Sequence, residues 1–234
     1  MNNDGVLLQA ARLIAEWDPA LFEIVLLSLQ VTMSAVVISC LLGLPLGAAV
    51  GAFRFHGRGA VILILNVLMG LPPVVVGLLV YLVLSASGPL GVLELLYTPT
   101  AMIIAQIVLV TPIIAALSRQ VIEDLYLEYA EQFASFGVSR YTRVRALLWD
   151  ARYTLPTVVL AGVGRAVAEV GAVMIVGGNI NHVTRVMTTA IALETSRGDL
   201  ELALALGIIL LALALVVNVF VMALRGTRVR GAYA

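Results

Sequence analysis

Long apolar runs separated by short charged segments dominate the chain. No Asp, Glu, Lys or Arg falls between Glu23 and Arg54, Arg58 and Glu94, Glu94 and Arg119, or Glu201 and Arg225. Each gap can hold a helix of the roughly 20 apolar residues that cross about 30 Å of hydrocarbon. The pattern predicts spans near residues 22–53, 59–84, 98–118, 156–178 and 202–224, the fourth interrupted by Arg165 and Glu169. The expected fold class is therefore all-α: a polytopic membrane protein with about five transmembrane helices, forming one domain over residues 1–234.

Within these runs the helix-breaking residues have definite places. Gly43-Leu44-Pro45-Leu46-Gly47 suggests a bend in the first span, Leu71-Pro72-Pro73 lies at the centre of the second, and Thr111-Pro112 lies inside the third. A mid-span proline frees a carbonyl that protein or cavity water must satisfy. Pro72, Pro73 and Thr111 are thus candidates for a translocation path, with a purely structural kink equally open. Before the first span, Leu7, Leu8, Ala11 and Ile14 give residues 6–17 an apolar side, so residues 1–20 are expected along the outer membrane interface.

The connection at 119–155 is long for neighbouring helices, and such segments usually carry function or structure of their own. Val121, Leu125, Tyr129 and Phe133 or Phe136 recur at helical spacing from Gln120 to Phe136. Gly137 suits the left-handed position that ends a helix, and Ser139 suits the N-cap of a second helix over about 140–151. The prediction is a helix, Gly turn, helix corner, with an amphipathic hairpin lying on the membrane surface without a partner as the alternative.

Composition narrows the chemistry. The chain is 62% hydrophobic and 12% charged, against about 25% charged in soluble domains. Every one of the 14 basic residues is Arg, which removes the P-loop lysine and any Schiff base. Cys40 has no partner for an internal disulfide, and His56 and His182 are too few for a metal site. No cofactor, nucleic-acid partner or nucleophilic constellation is expected. Ten arginines lie in the 54–58 turn, the 119–155 loop and the C-terminal tail, whereas Arg12, Arg185 and Arg197 lie on the other side. The positive-inside rule then makes the loop and C-terminus cytoplasmic and the N-terminus external. Residues 1–19 lack the basic start of a signal peptide and are expected to remain, and no domain is expected beyond Arg230.

Arg165 and Glu169 stand four residues apart, so one continuous helix would put them on the same face, where a pair is far cheaper than either charge alone. Such a pair can attract an oxyanion or fix helix packing, and the second reading is favoured because a paired Arg presents little net charge. Asn179, Asn181, Thr184, Thr188 and Thr189 lie on the outer side, where a partner would dock, a gate would close, or a solvated loop would simply be capped.

The segment Glu131-Gln132-Phe133-Ala134-Ser135-Phe136-Gly137 carries Glu and Gly at the spacing of the EAA loop of ABC importers, with both motif alanines replaced. Leu155-Pro156 follows as that family's Leu-Pro does, after a slightly longer interval. Gly164 to Ala172, containing Arg165-Ala166 and Glu169, and Gly178-Asn179-Ile180 resemble molybdate and tungstate permeases, and Asn181 to Thr195 is most similar to tungstate permeases. The resemblance covers about residues 25–225. It implies type I importer architecture and an ATP-driven uptake of tungstate or molybdate by alternating access. A separate cytoplasmic ATPase would bind ATP and Mg, and an extracytoplasmic protein would select the oxyanion. It also implies contact with the ATPase through Glu131, Ala134, Gly137, Ser139, Arg140 and Arg143. Residue chemistry does not separate the two oxyanions. Five spans enclose a pathway poorly, so a homodimer with two ATPase subunits in a bacterial or archaeal plasma membrane is expected. The competing class, an ion-coupled secondary transporter, would need acidic residues on its path and inverted repeats; Glu169 alone qualifies.

Overall fold

Backbone groups in hydrocarbon have no water to bond, and helices satisfy them internally. The computed structural model describes residues 3–16 and 18–229, and among these it contains helices, one 3-10 turn and no strand. The helices are α1 (Asn3–Ala15), α2 (Pro19–Ala52), α3 (Arg58–Met69), α4 (Pro73–Leu84), α5 (Pro99–Ser135), α6 (Arg140–Ala151), α7 (Leu155–Val167), α8 (Gly171–Gly177), α9 (Met187–Arg197) and α10 (Leu200–Val229). Three of them, α2, α5 and α10, are long and apolar enough to cross a membrane, and up to five spans result if α3 with α4 and α7 with α8 each count as one broken span.

The prolines break the second span where expected, with Pro72 as the extended N-cap of α4 and Pro73 as its first residue. In the third, by contrast, the helix does not stop at the membrane edge. α5 continues through Ser118 to Ser135 as a single 37-residue helix, about 55 Å long at 1.5 Å per residue. Nothing between Ser118 and Gln120 ends a helix, and Arg119 bridges forward to Glu123 at 2.7 Å across one turn. The charges from Arg119 onward end the apolar run but not the helix.

The fourth span differs from the continuous helix expected over 156–178. α7 ends at Val167 and α8 starts at Gly171, so Arg165 lies within α7 and Glu169 in the break between the two helices. Beside the break, the Glu169 carboxylate Oε1 accepts the Ala172 N–H of the first turn of α8 at 3.0 Å.

The chain divides into two compact units. The first takes residues 1–35, 72–106 and 167–219. Here α4 packs on α8 because Gly77 leaves room for the backbone of Ala172; a Cβ on Gly77 would lie 2.7 Å from Ala172 Cα. Ser28 Oγ accepts the Met187 N–H at 2.7 Å and joins α2 to the start of α9. α1 turns Ala10, Leu13 and Ile14 onto a cluster with Leu21, Ile24, Met187 and Leu206. Leu8 and Ala11, expected on its apolar side, are not covered by the fold.

The second unit takes residues 36–71, 107–166 and 220–234. α2 runs unbroken through Pro45, and Gly43, Gly47 and Gly51 form a ridge one turn apart against α5. A Cβ on Gly43 would meet Ile114 at 2.9 Å, one on Gly47 would overlap Ser118 Oγ and the Ala115 carbonyl, and one on Gly51 would lie 2.7 Å from the Arg119 carbonyl. This is the small-residue packing by which membrane helices approach closely. Against the end of the ridge, Leu147 and Ala151 of α6 join Ala48, Ala52 and Ile122 in a buried cluster.

Candidate functional site

The corner between α5 and α6 is closed by backbone geometry that its sequence dictates. The Gly137 N–H bonds the Ala134 carbonyl and the Val138 N–H bonds the Phe133 carbonyl, both at 3.3 Å, with Gly137 at φ 58°. This is a Schellman ending, in which glycine adopts the left-handed conformation without the Cβ penalty. Two residues on, Ser139 Oγ accepts the Thr142 N–H at 3.2 Å and caps α6.

The inner side of the corner is tied together. Tyr129 OH donates to Asp150 Oδ2 at 2.7 Å, and this hydrogen bond with the aspartate's charge holds the phenol above its usual pKa. The Arg143 guanidinium lies 5.4 Å from the Tyr126 ring centre and 5.6 Å from that of Phe133, and its Nη1 donates to Tyr126 OH at 3.3 Å. Arg143 therefore braces the corner from within, whereas Glu131, Ala134, Gly137, Ser139 and Arg140 are exposed on it. Phe133 faces inward, and Phe136 is 81% exposed at the tip.

Where α5 leaves its membrane-spanning part, three arginines surround one carboxylate. Glu123 meets Arg58 at 2.8 Å, Arg119 at 2.7 Å and Arg54 at 3.8 Å, and Arg58 Nε also donates to the Val50 carbonyl at the end of α2. Partial burial pushes the Glu123 carboxyl up, but the hydrogen bonds and charges of Arg58 and Arg119 outweigh it, and its pKa lies below the ordinary value. A lowered carboxylate pKa means that the contribution to stability is complete above the unfolded value near 4.5 and is lost as pH falls through the folded value. Glu123→Gln removes the charge that three arginines share. It should lower thermal stability at pH 7 by about 1.5–3 kcal/mol, the worth of hydrogen bonds to a charged group. The deficit should shrink when melting is followed at pH values below the ordinary carboxyl value of 4.5.

The polar segment between α8 and α9 is folded inward more than its composition suggests. Thr184 Oγ1 donates to the Gly177 carbonyl and accepts the Ile180 N–H, and Thr189 Oγ1 bonds both the N–H and the carbonyl of Val186. Both threonines are buried, so they stitch the segment rather than face a partner. Thr188 Oγ1 donates to the Glu169 carbonyl at 2.8 Å, and Asn179 Nδ2 reaches the Thr189 carbonyl at 3.4 Å. Asn179 itself sits at φ 50°, and its Oδ1 is enclosed without a hydrogen-bond partner among the described residues. Asn181 and His182 are exposed, and His182 Nδ1 lies 2.7 Å from Glu23 Oε2.

Of the candidate path residues, Pro72, Pro73, Glu169, Asn179 and Thr188 belong to the first unit, and Thr111 and Arg165 to the second. Pro72 is exposed and Pro73 half-buried. Glu169 is 3% exposed and Arg165 half-buried, and neither is without a partner. The Thr111 hydroxyl is enclosed with no hydrogen-bond partner among the described residues. Sequence reasoning missed the glycine ridge and the Glu123 knot. The four-residue spacing of Gly43, Gly47 and Gly51 and of Arg119 and Glu123 were the available signals.

No protein-family model matches the chain. It is 43% identical over 203 residues to a probable anion ABC transporter permease protein of Haloferax volcanii, covering 85% of this chain and 88% of that one. It is 38% identical over 216 residues to the tungstate uptake system permease protein TupB of Peptoclostridium acidaminophilum, covering 92% and 95%. More distantly, it is 26% identical over 174 residues to the sulfate transport system permease protein CysW of Escherichia coli, covering 71% and 60%.

Proposed function

The chain belongs to the permease subunits of ABC transporters for oxyanions, and from that premise we propose that it carries tungstate inward as a homodimer driven by two cytoplasmic ATPase subunits. It is a multi-pass membrane protein. An extracytoplasmic binding protein delivers the oxyanion to the side that bears α9, and the corner at Gly137 lies in the cytoplasm with the C-terminus, as the arginine distribution favours. ATP and Mg belong to the ATPase subunits.

The observation that carries the mechanism is the continuity of α5. One helix runs from the span into the corner without interruption, and the corner is braced by a Schellman turn, a capped α6 and the Tyr129–Asp150 and Arg143–Tyr126 bonds. A displacement imposed at Glu131, Ala134, Gly137, Ser139 or Arg140 by nucleotide-driven closure of the ATPase is therefore passed along a stiff element, not absorbed in a loop. Alternating access needs such a two-state mechanical link. Arg143 acts by holding the corner's shape.

The path needs polar groups that bind the dianion weakly. Each within its own unit, the Thr111 hydroxyl and the Asn179 carbonyl oxygen have hydrogen-bonding capacity left for water or an anion. Thr188 Oγ1 holds the Glu169 carbonyl beside the break in the fourth span, and Pro72 and Pro73 break the second.

The test is reconstitution of the chain in proteoliposomes with its ATPase subunit and binding protein, with ATP hydrolysis and uptake of tungstate, molybdate and sulfate measured together. Tungstate-stimulated hydrolysis with tungstate uptake is expected. Uptake by the permease alone, driven by an ion gradient, would replace this reading with a secondary transporter.

A further inference from the structure

α6 has two faces of different character. Its inner face places Leu147 and Ala151 against Ala48 and Ala52, the last turn of α2 before the charged Arg54–Arg58 turn, and against Ile122 of α5. That packing fixes the depth of the C-terminal half of α6. It lies level with the end of a membrane-crossing helix, and α7 enters the apolar region again at Leu155, only a few residues on.

The outer face at the same level carries Arg145, Trp149 and Arg152, with Tyr141 one turn earlier. Tyr141 is 78% exposed and Trp149 69% exposed, far more than large aromatic side chains show when the fold itself uses them. Arg152 lies 4.2 Å from the ring centres of both Trp149 and Tyr153 and donates to the Trp149 carbonyl and the Tyr153 hydroxyl. The aromatic pair thus holds this guanidinium in place. Arg145 and Arg140 make no ion pair among the described residues, and the one acidic residue of α6, Asp150, is engaged by Tyr129. An open groove of about 850 Å³ runs along this face between Tyr141 and Arg152.

We propose that this face of α6 binds the anionic phospholipid headgroups of the leaflet around the inner end of α2, with Arg145 and Arg152 on the phosphates and Trp149 in the interfacial layer. Three observations favour a lipid occupant. The face is at headgroup depth by its packing on Ala48 and Ala52. Its charge is positive and uncompensated, which is what an anionic surface attracts at close to 1 kcal/mol per arginine, roughly a fivefold effect. Its side chains are the Trp, Tyr and Arg that anchor proteins at membrane–water interfaces. The corner would then pivot on the lipid surface, so that bilayer charge tunes its position. This inference does not depend on which ion is carried.

Trp17 and Trp149 are the two tryptophans of the chain, so Trp17→Phe leaves Trp149 as the reporter. The full chain in nanodiscs containing brominated phosphatidylglycerol or brominated phosphatidylcholine, each diluted in unbrominated phosphatidylcholine, gives the fluorescence quenching at matched mole fraction. Quenching should be stronger with the anionic lipid. Arg145→Gln and Arg152→Gln should each raise the mole fraction needed for half quenching roughly fivefold, with helical content and monodispersity unchanged. Equal quenching by the two lipids, or none by either, would overturn the proposal. So would loss of quenching on addition of the ATPase subunit alone, since that would assign the face to the ATPase. If either Arg variant fails to fold, the comparison of the two lipids with Arg145 and Arg152 intact still decides.

Discussion

Gly47→Leu is expected to leave almost no folded protein in detergent extracts. A Cβ at this position already overlaps Ser118 Oγ and the Ala115 carbonyl, and the backbone nitrogen of Arg119 lies 2.9 Å away. The side chain of Ser118 can rotate, but the carbonyl of Ala115 belongs to a helix backbone and cannot move without α5. The two helices must part, and the neighbouring contacts of Gly43 and Gly51 are lost with them. Overpacking in an interior costs about 1–3 kcal/mol where side chains can adjust, and a backbone obstacle places this variant at or beyond the upper end. Gly47→Ala should show a smaller loss in the same direction. Gly59 is the control, because nothing lies within 4 Å of a Cβ built there; Gly59→Ala should extract and melt as the parent does. Size-exclusion profiles and thermal unfolding measure all three. A folded, monodisperse Gly47→Leu protein would mean that α2 and α5 do not meet through this ridge.

Gly137→Asp should abolish tungstate uptake, by more than tenfold, while the protein still inserts and folds. The two halves of that expectation come from different observations. Folding survives because a Cβ at Gly137 would have no neighbour within 4 Å, and the left-handed backbone at φ 58° costs about 1–2 kcal/mol for an ordinary residue and less for Asn or Asp. Transport fails because a carboxylate would be added to the exposed corner that is proposed to seat in the ATPase, where Glu131 is also exposed. Gly137→Asn separates the two effects. It imposes the same backbone demand without the charge and should retain most of the transport. Uptake together with co-purification of the ATPase subunit is the measurement, and normal uptake by Gly137→Asp would show that the coupling contact lies elsewhere.

The corner was legible because its signals are local. Gly137 in the left-handed conformation, Ser139 as N-cap and a helix over 140–151 each depend on a few adjacent residues. So do the breaks at Pro72 and Pro73 and the number of apolar runs. The roles of individual side chains within the corner were not legible in the same way. Arg143 and Arg140 look alike in the sequence, yet one stacks on Tyr126 and Phe133 and the other is exposed. Phe133 and Phe136 were both candidates for the inner stripe, and only packing against α6 selects Phe133.

Where charge stood in for structure, the two parted. Arg119 ends the apolar run, but a helix propagates through a charged residue as readily as through an apolar one, so α5 runs on to Ser135. Arg165 and Glu169 have the spacing of a helical pair, but the helix breaks between Val167 and Gly171, and Glu169 lies in the break with its carboxylate on the Ala172 N–H. Thr184 and Thr189 look like solvated loop residues, and the folded segment turns both hydroxyls onto its own backbone.

By itself, then, the sequence determined that the chain is helical, crosses a membrane several times and carries a corner turned at Gly137. Those properties follow from hydrophobic transfer, charge placement and backbone preference, which act residue by residue. Only the tertiary structure decided which glycines admit a neighbouring helix, which carboxylate gathers Arg54, Arg58 and Arg119, and which face of α6 is left uncovered. Each of these depends on residues from distant parts of the chain meeting at a few ångströms, and no local pattern encodes which of them will meet.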